Sequence, residues 1–216
     1  MSLAIESMVI RPPAGEPLFA PLTLDIDAGT IATVMGPSGV GKTTLLHAIA
    51  GHLDQSFTLH GGVRLNGRWL NDMPAERRRI GLMFQDAALF PHLSVADNLA
   101  FGLRSSLRGH RARTEAVDQA LAAAGLDGLR ERDPATLSGG QRARAALMQS
   151  LLAEPEAILL DEPFSRLDET LRADIRAFVL NHIRRRSIPA LLVTHDPADA
   201  RAAGGPTIPL GEGALA

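Results

Sequence analysis

Residues Gly36–Thr43 read Gly-Pro-Ser-Gly-Val-Gly-Lys-Thr and fit the pattern G-x-x-x-x-G-K-S/T. The preceding run, Ile31–Met35, predicts a buried strand, and a helical apolar pattern begins at Thr43. A glycine-rich turn between a strand and a helix directs backbone N–H groups and the positive end of the helix dipole toward a phosphate. This stretch, the phosphate loop, therefore predicts an α/β fold that binds a nucleotide.

The basic residues strengthen this interpretation. The chain has 22 Lys and Arg residues, and only one of them, Lys42, is a lysine. It occupies the one position of the motif where a compact cation must reach the β- and γ-phosphates, and the Thr43 hydroxyl is suited to bind Mg²⁺. The alternative, a glycine-rich turn that matches by chance, has a probability of about 1% at average glycine usage.

The composition of the 216-residue chain excludes several other classes of protein. There is no cysteine, which excludes disulfides, thiolate metal sites and a cysteine nucleophile. No apolar run approaches the ~20 residues of a membrane helix, and we expect no secretory signal. A net charge of −2 gives no general electrostatic reason to bind nucleic acid. We expect a soluble cytoplasmic protein.

A pair of acids follows the buried-type strand Ala157–Leu160. Asp161 and Glu162 come at its carboxyl end, where open α/β sheets bind ligands. Asp161 is suited to hold Mg²⁺, and Glu162 is suited to polarise an attacking water as a general base. A solvated acidic loop would also explain the pair, but beside a phosphate loop two adjacent acids favour hydrolysis over binding alone.

The remaining patterns predict a sheet interrupted by helices. Alternation over Leu22–Ile26 and the Asn66–Gly67 turn predict paired strands in the first third. Residues 86–153 are helical in character, with one helix over Thr114–Ala124. A strand is expected at Pro189–Thr194, after a helix from about residue 169 to 186. A parallel sheet with a helical insertion is the simplest arrangement.

A second glycine loop, Leu137–Gln141, reads Leu-Ser-Gly-Gly-Gln and precedes a helix that we expect to end before Pro155. Ser138 is typical of a helix N-cap, and the two glycines allow a ligand to approach the backbone closely. An ordinary capped helix would explain Ser-Gly-Gly alone, but the full pentapeptide is more specific. It predicts a second anion site.

Taken together and in this order, the motifs resemble those of the ATP-binding cassette family over about residues 20–200. The matching elements are the phosphate loop (the Walker A motif), Gln85, Leu137–Gln141 (hereafter the signature loop), Asp161, Glu162, Asp168 and His195. The resemblance implies a P-loop NTPase (RecA-like) α/β core with an N-terminal antiparallel β subdomain and an inserted α-helical subdomain. Within a single domain over 1–216, it assigns 1–85 and 154–216 to the nucleotide-binding core and about 86–153 to the helical subdomain.

The resemblance also implies how ATP and Mg²⁺ are bound. Two copies meet head to tail, so that ATP on the phosphate loop of one copy is covered by the signature loop of the other and is hydrolysed to ADP and phosphate. The implied catalytic residues are Glu162, His195 and Gln85, and the implied Mg²⁺ ligands are Thr43, Gln85 and Asp161. The implied nucleotide-binding residues are Gly36, Pro37, Ser38, Gly39, Val40, Gly41, Lys42, Thr43, Thr44, Ser138, Gly139, Gly140, Gln141 and Asp168, the last of these at the dimer seam.

The segment Phe84–Arg104 resembles the importer branch of the family, which serves polyamines, ferric iron, sulfate, maltose and thiamine. In that branch the segment docks on a separate membrane permease. We therefore expect permease docking near Gln85–Arg104, a peripheral position at the inner face of the cell membrane, and a substrate-binding protein in the complex. Core packing would also explain Leu89, Phe90 and Leu93. The chain ends about 20 residues after His195, so we expect no C-terminal regulatory domain and a resemblance to the short thiamine and YnjD types.

One feature departs from the family pattern. Relatives usually stack adenine on an aromatic residue, commonly Tyr, shortly before the strand that leads to the phosphate loop. This chain has no Tyr and reads Arg11–Gly15 there, while Phe19 falls at a core position. The loss of base stacking, worth about 1–3 kcal/mol, predicts weaker discrimination of ATP from GTP than in relatives that have the aromatic residue.

Other functions remain open at this point. One alternative is a soluble cassette ATPase that is not coupled to transport, such as those that act on nucleic acid or ribosomes. A nucleotide-binding regulator without turnover is less consistent with the presence of Glu162 and His195. An exporter subunit is a further alternative, because the permease decides direction. The transported solute is not indicated by any residue of this chain.

Overall fold

A computed structural model describes residues 1–84, 89–167 and 169–211. The strands are β1 (Ser2–Arg11), β2 (Leu22–Asp27), β3 (Ile31–Met35), β4 (Thr58–Leu65), β5 (Arg68–Trp69), β6 (Ile80–Met83), β7 (Ala157–Asp161), β8 (Ala190–Thr194) and β9 (Thr207–Pro209). The α-helices are α1 (Lys42–Ala50), α2 (Val95–Gly102), α3 (His110–Ala123), α4 (Gly139–Leu152), α5 (Glu169–Arg185) and α6 (Pro197–Ala203). Short 3-10 turns cover Ala75–Arg77 and Pro134–Thr136.

The strands form two sheets. The first is antiparallel with the order β2-β1-β4-β5, and the second has the order β6-β7-β8-β3-β9. The predicted alternation is confirmed in β2, where Leu22, Leu24 and Ile26 are buried and their neighbours are exposed. The Asn66–Gly67 turn joins β4 to β5, as predicted. The predicted α/β fold class, with one antiparallel and one parallel sheet, is therefore confirmed.

The parallel strands position the site residues. Strand β8 pairs in parallel with both β7 and β3, with Asp161 opposite Val193 and Met35 opposite Thr194. Every residue of β7 and β8 is buried, which is typical of parallel strands covered on both faces. Because the three strands run in the same direction, the residues that follow them lie at one edge of the sheet.

The chain divides into two compact units. The first unit comprises Met1–Leu82, Glu156–Glu162 and the residues from Leu180 onward. Its core combines apolar side chains of both sheets with those of α1. The second unit comprises Met83–Pro155 and Pro163–Val179, and it contains α2, α3, α4 and most of α5. None of the helices in the described ranges is long and apolar enough to cross a membrane.

Helix α1, which follows the phosphate loop, is fixed at its C-terminal end. Gly51 ends the helix with φ +87°, and the Arg78 guanidinium donates to the carbonyls of Ala48 (3.0 Å) and Ile49 (2.9 Å). Burial lowers the pKa of the Arg78 guanidinium below its ordinary value. These bonds satisfy carbonyls that a helix end leaves without intrahelical partners, so the helix behind the phosphate loop is held in place.

The predicted helices are present, with shifted ends. Helix α3 begins at His110, earlier than the predicted Thr114. An ion pair between Arg111 and Glu115, which are four residues apart on one helix face, stabilises the additional residues at its start. Helix α4 begins after Ser138 and ends before Pro155, as predicted.

Candidate nucleotide-binding and hydrolysis site

The phosphate loop connects β3 to α1. Gly39 and Gly41 have φ of +85° and +102°, a conformation that favours glycine. A Cβ on Gly41 would lie 3.0 Å from Leu18 Cδ1, and one on Gly36 would lie 2.5 Å from the carbonyl oxygen of Leu210. A Cβ on Gly39 would meet no atom of the described residues within 4 Å. The loop is thus packed on protein at Gly36 and Gly41 and open at Gly39.

Lys42 lies against the phosphate loop. Its side chain is only 6% exposed, and the ammonium donates to the carbonyls of Gly36 and Pro37, at 2.9 Å each. Among the described residues, no side chain caps α1, whose N-cap is Gly41, and its first turn carries no acid. The helix dipole and the lysine therefore concentrate positive charge at the loop.

Thr43 and Asp161 form a pair of oxygen ligands beside the loop. The Thr43 hydroxyl donates to Asp161 Oδ2 at 2.8 Å. Burial raises the pKa of the Asp161 carboxyl above its ordinary value, and the hydrogen bond from Thr43 opposes that shift. Within the described ranges there is no group of three or more His, Cys, Asp or Glu that could hold a metal alone. The pair fits Mg²⁺, which typically binds one or two protein groups together with substrate phosphates.

Glu162 has a strained backbone and a well-contacted carboxylate. Its φ is +43°, in the left-handed region that non-glycine residues rarely adopt. Its N–H donates to the carbonyl of Val193 at 2.9 Å, so β8 fixes the backbone. The carboxylate lies 3.5 Å from Lys42 Nζ through Oε1 and 3.2 Å from His195 Nδ1 through Oε2. It is held between a lysine and a histidine, next to the phosphate loop.

His195 follows β8 in a turn that side-chain hydrogen bonds hold in place. The Thr194 hydroxyl donates to Asp199 Oδ2 at 2.8 Å and accepts from the N–H of Asp196 at 3.0 Å. Thr194 and Asp199 are both buried. Asp196 caps α6, whose first residue is Pro197. Asp followed by Pro is a sequence pattern that predicts a helix N-terminus, so the turn that supports His195 could have been predicted from it.

The signature loop belongs to the second unit. Ser138 Oγ accepts from the N–H of Gln141 (3.2 Å), and Gln141 Oε1 accepts from the N–H of Ser138 (3.0 Å). This reciprocal capping box confirms the predicted N-cap. Gly139 is exposed, whereas a Cβ on Gly140 would lie 2.7 Å from Leu171 Cδ2. The loop therefore presents one glycine outward and packs the other against α5.

The structure brings five of the predicted site residues together in the first unit. They are Lys42, Thr43, Asp161, Glu162 and His195. The described residues of the signature loop form a separate element within the second unit. Two further predicted residues, Gln85 and Asp168, lie outside the described residues.

Comparison with known proteins agrees with this architecture. The family described as "ABC transporter" matches residues 19–165. The uncharacterized ABC transporter ATP-binding protein YnjD of Escherichia coli (strain K12) is 46% identical over 200 residues, which cover 93% of this chain and 91% of YnjD. The Fe(3+) ions import ATP-binding protein FbpC 1 of Rhizobium meliloti (strain 1021) is 40% identical over 195 residues, covering 90% of this chain but only 54% of that protein.

A solved structure also resembles this chain. It is the dimeric ATP-binding cassette MJ0796, in a post-hydrolysis state bound to ADP and Pi. The two structures have a TM-score of 0.79 and 27% sequence identity, covering 97% of this chain and 94% of the other. The predicted resemblance, including that to the YnjD type, is thus confirmed. The chain belongs to the ABC transporter family.

Proposed function

We propose that this chain is the ATP-hydrolysing subunit of an ABC transporter that drives import of a solute through a separate permease. The observation that carries the proposal is the position of the Glu162 carboxylate, between Lys42 and His195 and next in sequence to Asp161. A phosphate loop and a metal-ligand pair would suffice for nucleotide binding. A second carboxylate held at the same site supplies a base for hydrolysis.

The phosphates of ATP bind along the phosphate loop. Lys42 exchanges its bonds to the Gly36 and Pro37 carbonyls for bonds to the β- and γ-phosphates, while the N-terminus of α1 contributes its N–H groups. Thr43, Asp161 and Gln85 would hold Mg²⁺, which would supply charge that neutralises the phosphate oxygens.

Hydrolysis is an in-line attack of water on the γ-phosphorus. Glu162 orients the water and accepts its proton as the new P–O bond forms and the bond to the bridging oxygen of ADP breaks. His195 holds the carboxylate through Nδ1 and leaves its second ring nitrogen for the γ-phosphate. Gln85 is proposed to contact the attacking water. The products are ADP and inorganic phosphate.

A second copy of the chain completes the site. The signature loop leads into a helix N-terminus and presents Gly139 outward, and the side chains of Ser138 and Gln141 accept from each other's backbone N–H groups. In a head-to-tail dimer this loop covers ATP bound to the other copy, with Asp168 at the seam. The dimeric state described for the related cassette MJ0796 supports this arrangement.

Apolar surface on the second unit supports docking on a permease. Phe101 is 67% exposed and Phe84 is 43% exposed. Phe101 packs edge-on against Phe90, with a centroid distance of 4.6 Å. A cavity of about 260 Å³ is lined by Leu89, Pro91, Pro134, Ala135 and Arg142. Exposed aromatic side chains on this unit favour a protein partner. We therefore propose that the subunit lies at the inner face of the membrane, docked on the permease, with a substrate-binding protein in the complex.

The proposal is tested by steady-state phosphate release from Glu162→Gln. We expect a rate about 10²–10⁴-fold below wild type, because the base is lost, with ATP still bound. Glu156→Gln is the matched control, since Glu156 precedes the same strand and bonds Asn66 and Arg79 instead. An unchanged rate in Glu162→Gln would contradict the assigned role.

A further inference from the structure

Asn98 on α2 is buried, and its side-chain amide is saturated with hydrogen bonds. Oδ1 accepts from the N–H of Phe90 at 2.7 Å. Nδ2 donates to the carbonyls of Phe90 (3.1 Å), Leu93 (3.2 Å) and Ser94 (3.0 Å). Residues 89–94, hereafter the docking loop, are therefore held by one side chain. To move separately from α2, the loop must leave a buried amide unpaired, which is costly.

The N-terminus of α2 is joined to the segment that leads into the signature loop. The N–H groups of Val95 and Ala96 donate to the carbonyls of Arg132 (3.0 Å) and Arg130 (2.9 Å). The first N–H groups of a helix have no intrahelical partner. Here the chain just before the signature loop supplies those partners, so the two segments are bonded directly.

The other end of α2 packs on α4, the helix that begins at the signature loop. Gln149 Nε2 donates to the main-chain carbonyl of Asn98 at 3.0 Å. A Cβ on Gly102 would lie 2.1 Å from the carbonyl oxygen of Gln149, so only glycine permits this approach. The N–H of Arg104 donates to the carbonyl of Leu152. The two helices are thus in contact backbone to backbone.

We propose that Asn98 and Gln149 are positioning residues that join the docking loop to the signature loop as one rigid element. Closure of the dimer on ATP at the signature loop then tightens the docking loop, where the permease binds. The inference rests on the proposed function, because the dimer supplies the closure. A ligand that stabilises one end of a rigid element raises the free energy of local opening at the other end.

The test is amide hydrogen exchange of the full-length Glu162→Gln protein with and without Mg-ATP. In this parent, Mg-ATP slows exchange in the signature loop and, by about 10-fold, in the docking loop. Adding Gln149→Met removes the donor to Asn98 at similar side-chain length. Adding Asn98→Asp removes the donors to the docking loop. Each variant keeps protection of the signature loop, but its docking-loop response falls to within about 2-fold.

The measured quantity is the change in docking-loop exchange that Mg-ATP causes. If Asn98 and Gln149 had a purely structural role, their variants would alter exchange equally with and without Mg-ATP, and this change would stay the same. Gln119→Met is the matched control, because Gln119 is exposed on α3 of the same unit, and it keeps the full response. A parent whose signature loop gains no protection would contradict the proposed dimer and this inference with it. Two results would overturn only the proposed connection between the two loops and would leave the dimer intact. In the first, Mg-ATP protects the signature loop of the parent but does not slow exchange in its docking loop. In the second, the docking loop of Gln149→Met responds to Mg-ATP as strongly as that of the parent.

Discussion

The phosphate loop and the signature loop have the same local form, a glycine-containing turn at a helix N-terminus, but different surroundings. At the phosphate loop, the N-cap of α1 is Gly41, no side chain among the described residues caps the helix, and Lys42 is buried. The signature loop has its own cap, because Ser138 and Gln141 satisfy each other's N–H groups. No charged side chain caps that helix within the described chain, and its first turn has no acid.

This difference shows that loop geometry alone does not make a phosphate site. The phosphate loop has a cation, a metal-ligand pair and a base within hydrogen-bonding or ion-pair distance, so it can bind a nucleotide within one copy. The signature loop offers a helix dipole worth about 0.3–1 kcal/mol, which is too little to bind ATP alone. In the proposed dimer, this loop contacts ATP only when another copy brings the phosphates to it.

The largest expected effect is on the phosphate loop. Lys42→Ala removes a buried cation, and we expect ATP affinity to fall by about 2–5 kcal/mol, or roughly 30-fold to several thousandfold. Lys42→Arg should fail as well, because a planar fork cannot replace a compact ammonium against the Gly36 and Pro37 carbonyls. Titration calorimetry measures both variants. Wild-type affinity in Lys42→Arg would contradict the assignment.

The next effect separates hydrolysis from binding. Ser138→Arg places bulk and charge on the signature loop, and we expect phosphate release to fall about 10²-fold, by analogy with removing a transition-state donor. ATP affinity of the single copy should stay within about 2-fold, because the phosphate loop is untouched. Gln119→Arg is the matched control, since Gln119 is exposed on α3 of the second unit. Loss of ATP binding in Ser138→Arg would contradict the claim that the phosphate loop binds ATP without the signature loop.

A smaller effect distinguishes the two adjacent glycines of the signature loop. Among the described residues, a Cβ on Gly139 meets only Leu167 Cδ2, at 3.4 Å. Gly139→Ala should therefore stabilise the helix by about 0.4–1 kcal/mol and raise Tm by about 1–4 °C. It should still slow phosphate release, because Gly139 is exposed and the proposed dimer covers ATP with this loop. Gly140→Ala instead overpacks Leu171 and Ile175 and should lower Tm. Calorimetric scans and phosphate-release rates check both variants.

The smallest expected effect concerns recognition of the nucleotide base, adenine or guanine. Phe19 is in the core and the sole tryptophan, Trp69, stacks with Arg64 on the antiparallel sheet, so neither replaces the missing stacking residue. We expect ATP and GTP affinities to agree within about 3-fold, because phosphate contacts are common to both. Competition binding measures the ratio. A preference for ATP above about 10-fold would show that another group recognises adenine.

The sequence predicted the elements whose signals are local. The phosphate loop, β7 with its two acids and the capping box at Ser138 are each encoded within about ten residues, so patterns and caps suffice. The contacts that support them are long-range. Leu210 reaches Gly36 only because β9 pairs with β3, and Leu18 packs on Gly41 only because β1 turns back. Periodicity cannot specify such pairings.

The sequence predicted the main residues of the site but not the contacts that support them. Lys42, Thr43, Asp161, Glu162 and His195 converge because parallel strands end at one edge of the sheet. The buried Thr194–Asp199 bond behind His195 was missed because neither residue carries a motif of its own. The roles of Gln85 and Asp168 remain predictions from the family resemblance.

The measurement that tests the central claim most directly is the solution mass of Glu162→Gln with saturating Mg-ATP, by size exclusion with light scattering. We expect that the 23.0 kDa chain doubles in mass only with Mg-ATP and that adding Ser138→Arg restores the single-copy mass. A mass of 23.0 kDa with ATP demonstrably bound would contradict the claim that a second copy's signature loop completes the site.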